Sequence, residues 1–542
     1  MNEAVSTPAL SVIGLDSATF AVIDPLVARG DLPNLARLLE GGASGTLWST
    51  THPLTPHAWT TLITGVTAGR HGIWDFTECA EDGYQMQLVN GSHRRAAAVW
   101  DLLDVAGRRS GLVSIPYTWP APHVNGFAIA GFDAAEREAG LAHPEEIARD
   151  MVKRFGSPEL DNKFPLDGDG ELDLATVKRA AEQKVELTLA LTESYEPELL
   201  VVVFMAADHV HHLCWSDWEA YGPDSPVADV YRALDDAVGA LLSGVGPDAN
   251  VMVVSDHGAG PLSGVVNLNA WLAQEGYLTY LPGSAGLSRR LADTAFDLRR
   301  GLPQGFRYRL KQRLPQLRDR LYSRREYSAI DWSRTQAFAY GLFGNIVINV
   351  RGRESQGVVE PSDYERVREA IAERALELRG PSGEPIVAAV HRREDMFFGP
   401  ELEKLPDLVV EFQDYAWLGK GNLKKRGESL WDRVEIPGSS HPYVGTHRRD
   451  GIFILSGACA KPRKDISASI VDVAPTMLYL LGEPVPTTLE GRVLTEAIDE
   501  GLLESRPPEF DDSRLAEFRP AEPRSAAGDD VERRLRALGY IE

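Results

Sequence analysis

The chain has 542 residues, too many for one simple hydrophobic core, so at least two structural units are expected. Hydrophobic residues make up 43% and charged residues 25%, the composition of an ordinary soluble globular protein. The formal net charge of -23 disfavours general nucleic-acid binding, and no run approaches the roughly 20 apolar residues of a membrane span.

The cysteines and the N-terminus both bear on the expected compartment. Cys79, Cys214 and Cys459 are odd in number and have no paired spacing, which favours a reducing compartment over a cysteine-based zinc site. The first residues, MNEAVSTPALSV, lack the basic region and apolar region of a signal peptide. We therefore expect a cytoplasmic protein.

The first apolar run, Ala9 to Leu15, ends in Asp16. It predicts a buried strand with a carboxylate at its C-terminal end, where open α/β sheets place their sites. Helical periodicity follows from Asp24 to Leu39, which predicts one helix there. Asp16 is therefore a candidate site residue.

The segment from Thr51 to Ile73 reads THPLTPHAWTTLITGVTAGRHGI and contains a predicted helix start. Thr55 before Pro56 is typical of an N-cap followed by the first helical residue. A hydroxyl in this place also faces free backbone N–H groups and a positive dipole end, which suits attack on a phosphate. Thr55 alone could be either a cap or a nucleophile.

Two further apolar runs end in metal-type ligands. Leu199 to Met205 is followed by Asp208 and His212, which are four residues apart and would share one face of a helix. The segment from Asn250 to Gly260 reads NVMVVSDHGAG, in which a buried strand delivers Asp256 and His257 before a glycine turn. Either pattern alone also fits a strand that ends in a polar turn.

Between Gly258 and about Pro437 the pattern changes to short strands and a helix, which predicts an inserted α+β cap over residues 259–436. Residues 289–325 contain 12 Arg/Lys and 3 Asp, a charge of +9. This basic stretch fits a solvated helical hairpin, a wall for a polyanionic substrate or a membrane-surface contact.

Two histidines, His441 and His447, precede another apolar run, Ile452 to Leu455. After Glu496 the sequence is polar, acid-rich and contains several prolines, which predicts an extended tail over 497–542 with a terminal helix at about 530–540. Residues 1–258 and 437–496 would form the catalytic core.

Together the strand ends supply three carboxylates and two or three imidazoles. Asp with neutral His suits Zn²⁺, or Mn²⁺, better than Mg²⁺ or Ca²⁺. The number of ligands exceeds the need of one tetrahedral ion, and two ions about 4 Å apart serve in-line displacement at phosphorus. The pattern predicts a two-metal site that acts on a small phosphorylated substrate.

These motifs resemble the alkaline phosphatase superfamily, in particular its type I phosphodiesterase/nucleotide pyrophosphatase family. The resemblance covers roughly 9–258 and 437–494 and is specific in the order and spacing of its motifs, which are LDSATF, PLTPHAWTTLITG, RHGIWDF, AADHVHHLCW, VVSDHG and GTHRRDGIFILSG. It implies an α/β sandwich with a central, mostly parallel sheet flanked by helices, and an inserted cap.

The resemblance also implies roles for single residues. One ion would be held by Asp16, Asp256, His257 and Thr55, and the other by Asp208, His212 and His447. Thr55 would attack phosphorus to form a covalent intermediate, which water then hydrolyses. His447 is preferred to His441 because it stands in the GTH element just before the strand.

Two sequence features differ from the family pattern, and one missing motif argues against a related class of enzymes, the sulfatases. Phe76 follows Asp75 where nucleotide pyrophosphatases usually have an asparagine, and Pro-His-Ala follows Thr55 in place of Phe-Pro-Asn. No Cys-x-Pro-x-Arg stands at the nucleophile, which argues against a sulfatase. A phosphomonoesterase, a phosphotransferase and a non-catalytic anion-binding metalloprotein stay as alternatives, and the sequence does not indicate the substrate-binding residues.

Overall fold

The computed structural model describes residues 8–524 except 80–83, 85, 134–139, 156–164, 168–169, 247–248, 282–328, 422–428 and 433–441. The basic stretch 289–325, His441 and the expected terminal helix at 530–540 lie outside these residues. Within the described chain, no helix combines the length and the apolarity needed to cross a membrane.

The strands are β1 (Leu10–Leu15), β2 (Ala43–Trp48), β3 (Thr77–Cys79), β4 (Met86–Leu88), β5 (Ser110–Ile115), β6 (Gly126–Ala130), β7 (Ala142–His143), β8 (Leu199–Phe204), β9 (Val251–Val254), β10 (Gly258–Pro261), β11 (Gly264–Asn267), β12 (Ala337–Tyr340), β13 (Asn345–Ile348), β14 (Val387–Arg392), β15 (Leu408–Phe412), β16 (Trp417–Lys420), β17 (Trp431–Asp432), β18 (Gly445–Arg448), β19 (Asp450–Ser456) and β20 (Arg463–Ser469).

The helices are α1 (Phe20–Arg29), α2 (Pro33–Gly41), α3 (Thr55–Thr64), α4 (Ala68–His71), α5 (Val99–Val105), α6 (Glu145–Phe155), α7 (Leu174–Tyr195), α8 (Ala206–Tyr221), α9 (Pro226–Val245), α10 (Leu268–Gln274), α11 (Tyr364–Leu376), α12 (Arg393–Met396), α13 (Val473–Leu480) and α14 (Glu500–Ser505).

A nine-stranded sheet with the order β20-β2-β19-β9-β1-β8-β5-β6-β7 forms the centre of the molecule. The run from β9 to β6 is parallel, and β19 and β7 join it in the antiparallel direction. Every residue of β1, β8 and β9 is buried, as expected for strands covered on both faces. The predicted α/β class with a mostly parallel central sheet is confirmed.

Helix α3 lies close against strand β1, and this contact positions the N-terminus of the helix. A Cβ atom added at Gly14 would be 2.4 Å from Cη2 of Trp59 and 2.9 Å from Cγ2 of Val203. Only glycine leaves room for the indole over the strand. The first residue of α3 is therefore brought to the carboxyl end of the sheet.

The insert has a hydrophobic cluster of its own. The antiparallel sheet β12-β13-β15-β14 and the helix α11 contribute to it, and it is separate from the cluster around the central sheet. The insert is joined to the core where β10 pairs with β18. The boundaries 259–436 stay a prediction, because these clusters do not define the ends of a unit.

Two sequence expectations differ from the observed elements. The single helix from Asp24 to Leu39 is instead α1 and α2, because Gly30 adopts φ 84° and ends the first helix. Helix α1 begins at Phe20, so the expected start at Asp24 and the following Pro25 both lie inside it. In the expected tail, residues 497–524 contain α14, and Ile498 is fully buried against the core.

The N-terminus of α2 is capped by a distant side chain. Leu32 at the N-cap position provides no side-chain hydrogen bond. Asp235 of α9 accepts hydrogen bonds from the backbone N–H groups of Leu35 at 2.8 Å and Asn34 at 3.1 Å. A carboxylate from another helix thus satisfies donors that a helix start leaves open.

We expect Asp235→Ala to lower the free energy of unfolding by about 1–3 kcal/mol, because two N-terminal amides of α2 lose their acceptor. Urea denaturation followed by circular dichroism measures this change. The neighbouring Asp236→Ala is the control, since Asp236 is exposed. Equal effects of the two substitutions would contradict the capping role.

Candidate active site

Three carboxylates meet at one edge of the central sheet. Asp16 follows β1, Asp256 lies two residues after β9, and Asp208 stands in the first turn of α8, directly after β8. These three strands are neighbours in the sheet, so their carboxyl ends lie side by side. All three aspartates are fully buried. The sheet topology therefore concentrates negative charge where water cannot screen it.

Three histidines face these carboxylates with the same ring atom. The Nδ1 atoms donate to backbone carbonyls: His212 to Gly445 at 3.0 Å, His257 to Gly258 at 3.1 Å and His447 to Pro53 at 2.6 Å. Each of these hydrogen bonds turns the Nε2 atom of the ring toward the aspartates. Metal-binding histidines are oriented in the same way.

The side chains form two adjoining groups. In the first, Nε2 of His257 lies 3.3 Å from Oδ2 of Asp256 and 3.8 Å from Oδ1 of Asp16. In the second, Oδ1 of Asp208 lies 3.3 Å from Nε2 of both His212 and His447. His257 and His447 stack with their ring centroids 3.8 Å apart, which joins the two groups.

The ligand atoms are close enough to share ions. Those of Asp16, Asp256 and His257 all lie within 4.8 Å of one another, and the same holds for Asp208, His257 and His447. Buried Asp and neutral His are donors that suit Zn²⁺ or Mn²⁺. The residues of the site therefore fit divalent metal ions.

Thr55 is the first residue of α3 and is fully buried. Its Oγ1 lies 3.5 Å from Nε2 of His257, at the border of the first ligand group. The N-cap position belongs to Leu54, and no side-chain capping bond is present. The expectation that Thr55 is the cap and Pro56 the first helical residue is thus wrong by one position, so the hydroxyl has no structural duty as a cap.

The buried carboxylates of the first group, Asp16 and Asp256, need a neighbouring cation in order to be ionised. Burial, followed by the negative charges of Asp256 and Asp208, raises the pKa of Asp16 well above its ordinary value. Burial and Asp208 do the same to the pKa of Asp256. Asp16 Oδ1 and Asp256 Oδ2 accept no hydrogen bond. Two buried carboxylates are costly to ionise unless a positive charge compensates them.

The second group carries part of its own compensation. Burial opposes ionisation of Asp208, but His212 and His447 hold its pKa well below the ordinary value. Against the effect of burial, Asp208 raises the pKa of His212. Burial lowers the pKa of His447. The neutral imidazole of His447 is the form that binds a metal ion.

Supporting contacts hold the ligands in place, and the sequence did not single them out. Trp59 Nε1 donates to Asp16 Oδ2 at 2.7 Å, and the backbone N–H of Ser17 donates to Asp256 Oδ1 at 3.3 Å. Ser17 has φ 65°, a strained value for a residue other than glycine. Trp59 lies one helical turn after Thr55, so a check of that helix face could have found it.

The RHGIWDF segment is tied to the insert. Asp75 Oδ2 accepts from Nδ2 of Asn345 at 2.8 Å, and Oδ1 of Asn345 accepts from Trp74 Nε1 at 2.9 Å. Burial raises the pKa of Asp75 to about 7. Phe76 is buried against Tyr117, with ring centroids 6.0 Å apart. Position 76 therefore offers no polar side chain to a phosphate.

The insert also reaches a predicted metal ligand. The ring of Phe343 stacks on His447 with centroids 5.5 Å apart, and its edge contacts His52 at 5.1 Å. His52 in turn stacks on Trp74 at 4.4 Å. These aromatic rings connect the insert with the site, and no sequence pattern marked Phe343.

The fold and the buried carboxylate–imidazole groups agree with the resemblance to the alkaline phosphatase superfamily. Residues 10–447 match the type I phosphodiesterase / nucleotide pyrophosphatase family, and the chain belongs to that family. It is accordingly a phosphoester hydrolase. The resemblance drawn from the motifs is confirmed. A search of curated proteins gave no match.

Solved structures share the fold. Phosphonoacetate hydrolase from Sinorhizobium meliloti 1021 is 14% identical, with a TM-score of 0.55 over 88% of this chain and 95% of that chain. Human ectonucleotide pyrophosphatase / phosphodiesterase 5 is 14% identical, with a TM-score of 0.51 over 91% of this chain and 100% of that chain. These likenesses confirm the alkaline-phosphatase-like fold and, at this identity, no more than the fold.

Removal of divalent ions with a chelator is expected to make thermal stability fall as pH rises. The raised pKa values of Asp16 and Asp256 mean that the folded, metal-free chain keeps protons that the unfolded chain releases. Its free energy of unfolding therefore declines above the ordinary carboxyl pKa. With ions bound, both groups are ionised and compensated, so this decline disappears.

The melting temperature of chelated and zinc-loaded protein, measured from about pH 5 to pH 8, tests this expectation. Groups outside the site contribute equally to both forms, so the difference between the two curves isolates the site. Parallel curves would contradict the need for a cation.

Proposed function

We propose that the protein cleaves phosphodiesters or pyrophosphates at a two-metal site, with Thr55 as the nucleophile. Asp16, Asp256, His257 and Thr55 would hold one ion. Asp208, His212 and His447 would hold the other. Zn²⁺ fits these donors best, and Mn²⁺ is the second choice. When bound, the ions would lower the pKa of the Thr55 hydroxyl and offset the charge of the phosphate.

The reaction takes two displacements at phosphorus. Oγ1 of Thr55 forms a bond to phosphorus while the bond to the ester or pyrophosphate oxygen breaks, and the leaving group takes up the proton. Water then forms a bond to phosphorus while the bond from phosphorus to Oγ1 breaks, and Oγ1 of Thr55 takes up a proton from that water. The N-terminal position of Thr55 in α3 supports this role, because the helix dipole and free N–H groups stabilise negative charge there.

One observation carries the proposal. The Thr55 hydroxyl is fully buried, has no capping bond and lies 3.5 Å from Nε2 of His257. A buried hydroxyl among metal-type ligands has no evident structural task. Membership of a hydrolase family favours catalysis over the non-catalytic anion-binding alternative.

The insert is proposed to select the substrate over residues 259–436. Phe343 supports this role, because its ring contacts His447 and His52 beside the site. The buried Phe76 cannot supply the oxygen contact of the family asparagine, so nucleotide specificity is not carried over. We infer a small phosphorylated substrate and no nucleic acid.

The cytoplasmic location is likewise a proposal. It rests on the three cysteines, which form no disulfide, two of them buried and one partly buried. Burial raises the pKa of the Cys214 thiol to about 12, so this group stays protonated and unreactive.

Thr55→Ala is expected to lower kcat for phosphate esters by at least about 10³-fold, since the covalent step loses its nucleophile. Thr55→Ser keeps a hydroxyl and should retain measurable turnover. Thr60→Ala is the matched control in the same helix, because Oγ1 of Thr60 donates to the carbonyl of Pro56 at 2.7 Å. Near-normal turnover by zinc-loaded Thr55→Ala would sink the proposed mechanism.

The ratio of kcat/KM for bis-p-nitrophenyl phosphate to that for p-nitrophenyl phosphate is expected to exceed one. A diesterase site has room for two ester arms, whereas a monoesterase or phosphotransferase binds the free phosphate better. A ratio well below one would contradict the preference for diesters and favour those alternatives.

Phe343→Ala is expected to change this ratio by about tenfold, because an aromatic contact to one ester arm is lost. Phe398→Ala is the control, since Phe398 also belongs to the insert and is 61% exposed. If both substitutions leave the ratio unchanged, Phe343 has no part in selection.

A further inference from the structure

Helix α8 carries a buried histidine, His211, that belongs to neither group of metal-type ligands. It stands next to His212 in the chain and is 1% exposed. Its ring nitrogens make hydrogen bonds on two sides. Nδ1 lies 3.2 Å from Oγ of Ser17, and Nε2 lies 3.2 Å from the hydroxyl of Tyr231. An imidazole that is engaged at both nitrogens is held in one orientation.

Ser17 in turn supports two ligands of the first group. Its backbone N–H donates to Oδ1 of Asp256 at 3.3 Å. Its hydroxyl lies 3.4 Å from the carbonyl oxygen of Gly258, and the same oxygen accepts from Nδ1 of His257 at 3.1 Å. Ser17 also follows Asp16 directly in the chain. This one buried residue is therefore connected with all three carboxylate and imidazole ligands of the first group.

The other end of this chain of hydrogen bonds is Tyr231 of helix α9. Its hydroxyl accepts from the backbone N–H of Thr19, the N-cap residue of α1, at 3.2 Å. Tyr231 is 1% exposed, and its ring lies against that of His211 with centroids 5.7 Å apart. Helix α9 thus holds the imidazole at the nitrogen that does not contact Ser17.

One arrangement of protons gives every donor in this chain an acceptor. The N–H of Thr19 donates to the oxygen of Tyr231, and the O–H of Tyr231 donates to Nε2 of His211. Nδ1–H of His211 then donates to Oγ of Ser17, whose O–H donates to the carbonyl of Gly258. Buried polar groups that are fully paired rigidify their surroundings and specify one arrangement of the side chains.

The backbone at Ser17 shows that this arrangement is enforced. Its φ of 65° is a left-handed value, which a serine keeps only where the contacts around it over-determine the conformation. A change of this φ would alter the direction of the hydroxyl relative to the N–H. The contact with Asp256 and the contact with Gly258 therefore depend together on this conformation.

The same chain joins the two ligand groups. Asp208 and His212 of the second group lie on α8, as does His211. Ser17 lies just after β1, beside Asp16 of the first group. The hydrogen bond between His211 and Ser17 ties the helix that carries one group to the strand end that carries part of the other.

We propose that His211 is a positioning residue for the metal site, which acts through Ser17 and is itself held by Tyr231. The inference rests on the proposed function, because it assumes the two metal ions. The chain would keep Asp256 and His257 in the geometry that binds the ion of the first group, so its loss would weaken that ion. The histidines of the second group are oriented by carbonyls elsewhere in the chain, so their ion would keep its affinity.

The affinity of each zinc ion tests the proposal. It is measured by titrating the metal-free full chain with Zn²⁺ in competition with a chromophoric chelator. Ser17→Gly removes the hydroxyl at a φ that glycine adopts without strain, so no backbone strain is added. We expect this variant to bind one zinc ion about 10–100-fold more weakly, and the other within about threefold of the parent. Circular dichroism checks that the variant is folded.

Two substitutions at position 211 separate positioning from packing. The side-chain amide of asparagine can replace Nδ1 and keep a partner for Ser17, whereas the longer glutamine places its amide near Nε2, beside Tyr231. We expect His211→Asn to keep the parent affinity within about threefold, and His211→Gln to weaken the same ion at least about tenfold. Tyr231→Phe should weaken it by a smaller factor. Tyr479→Phe is the matched control without effect, since this buried tyrosine donates to the carbonyl of Arg506 at 2.6 Å.

Three outcomes would overturn the proposal. Parent affinity in Ser17→Gly would mean that the hydroxyl has no part in metal binding. Equal affinities of His211→Asn and His211→Gln, or an equal loss at both zinc ions, would assign the chain to packing alone. Zinc binding is measured without turnover, so a protein that shows the expected affinities but cleaves no phosphate ester would refute the catalytic proposal alone.

Discussion

The burial of carboxylates at neighbouring strand ends is the constraint on which the rest of the molecule depends. Asp16 and Asp256 are both fully buried, and each keeps one oxygen without a hydrogen bond. The low dielectric makes two such charges repel strongly and denies them hydration. Two such carboxylates stay ionised at neutral pH only beside a positive charge. The neighbouring imidazoles turn their Nε2 atoms toward the carboxylates and are therefore oriented to bind the same cation.

Several features of the fold bring these carboxylates and the residues around them together. The parallel order β9-β1-β8 brings the three aspartates together. Gly14 lets α3 approach β1, so Trp59 reaches Asp16 and Thr55 reaches the edge of the ligand groups. Antiparallel pairing of β10 with β18 brings His447 next to His257 from a distant part of the sequence. The insert adds Phe343, whose ring stacks on His447.

Much of this could be predicted from the sequence because each candidate aspartate ligand closely follows an apolar run that predicts a buried strand. The apolar runs before Asp16, Asp208 and Asp256 predicted strands of the central sheet and the edge of the sheet at which the candidate site lies. The break between α1 and α2 was missed because helical periodicity continues across Gly30. The cap of α2 was missed because its acceptor, Asp235, is about 200 residues away in sequence. Contacts of this kind depend on tertiary packing and leave no local pattern.

X-ray diffraction from crystals of the zinc-loaded protein, recorded on both sides of the zinc absorption edge, tests the central claim most directly. We expect two anomalous peaks, one among Asp16, Asp256, His257 and Thr55, the other among Asp208, His212 and His447. A single peak would contradict the two-metal account. Absence of any peak at these aspartates would remove its physical basis.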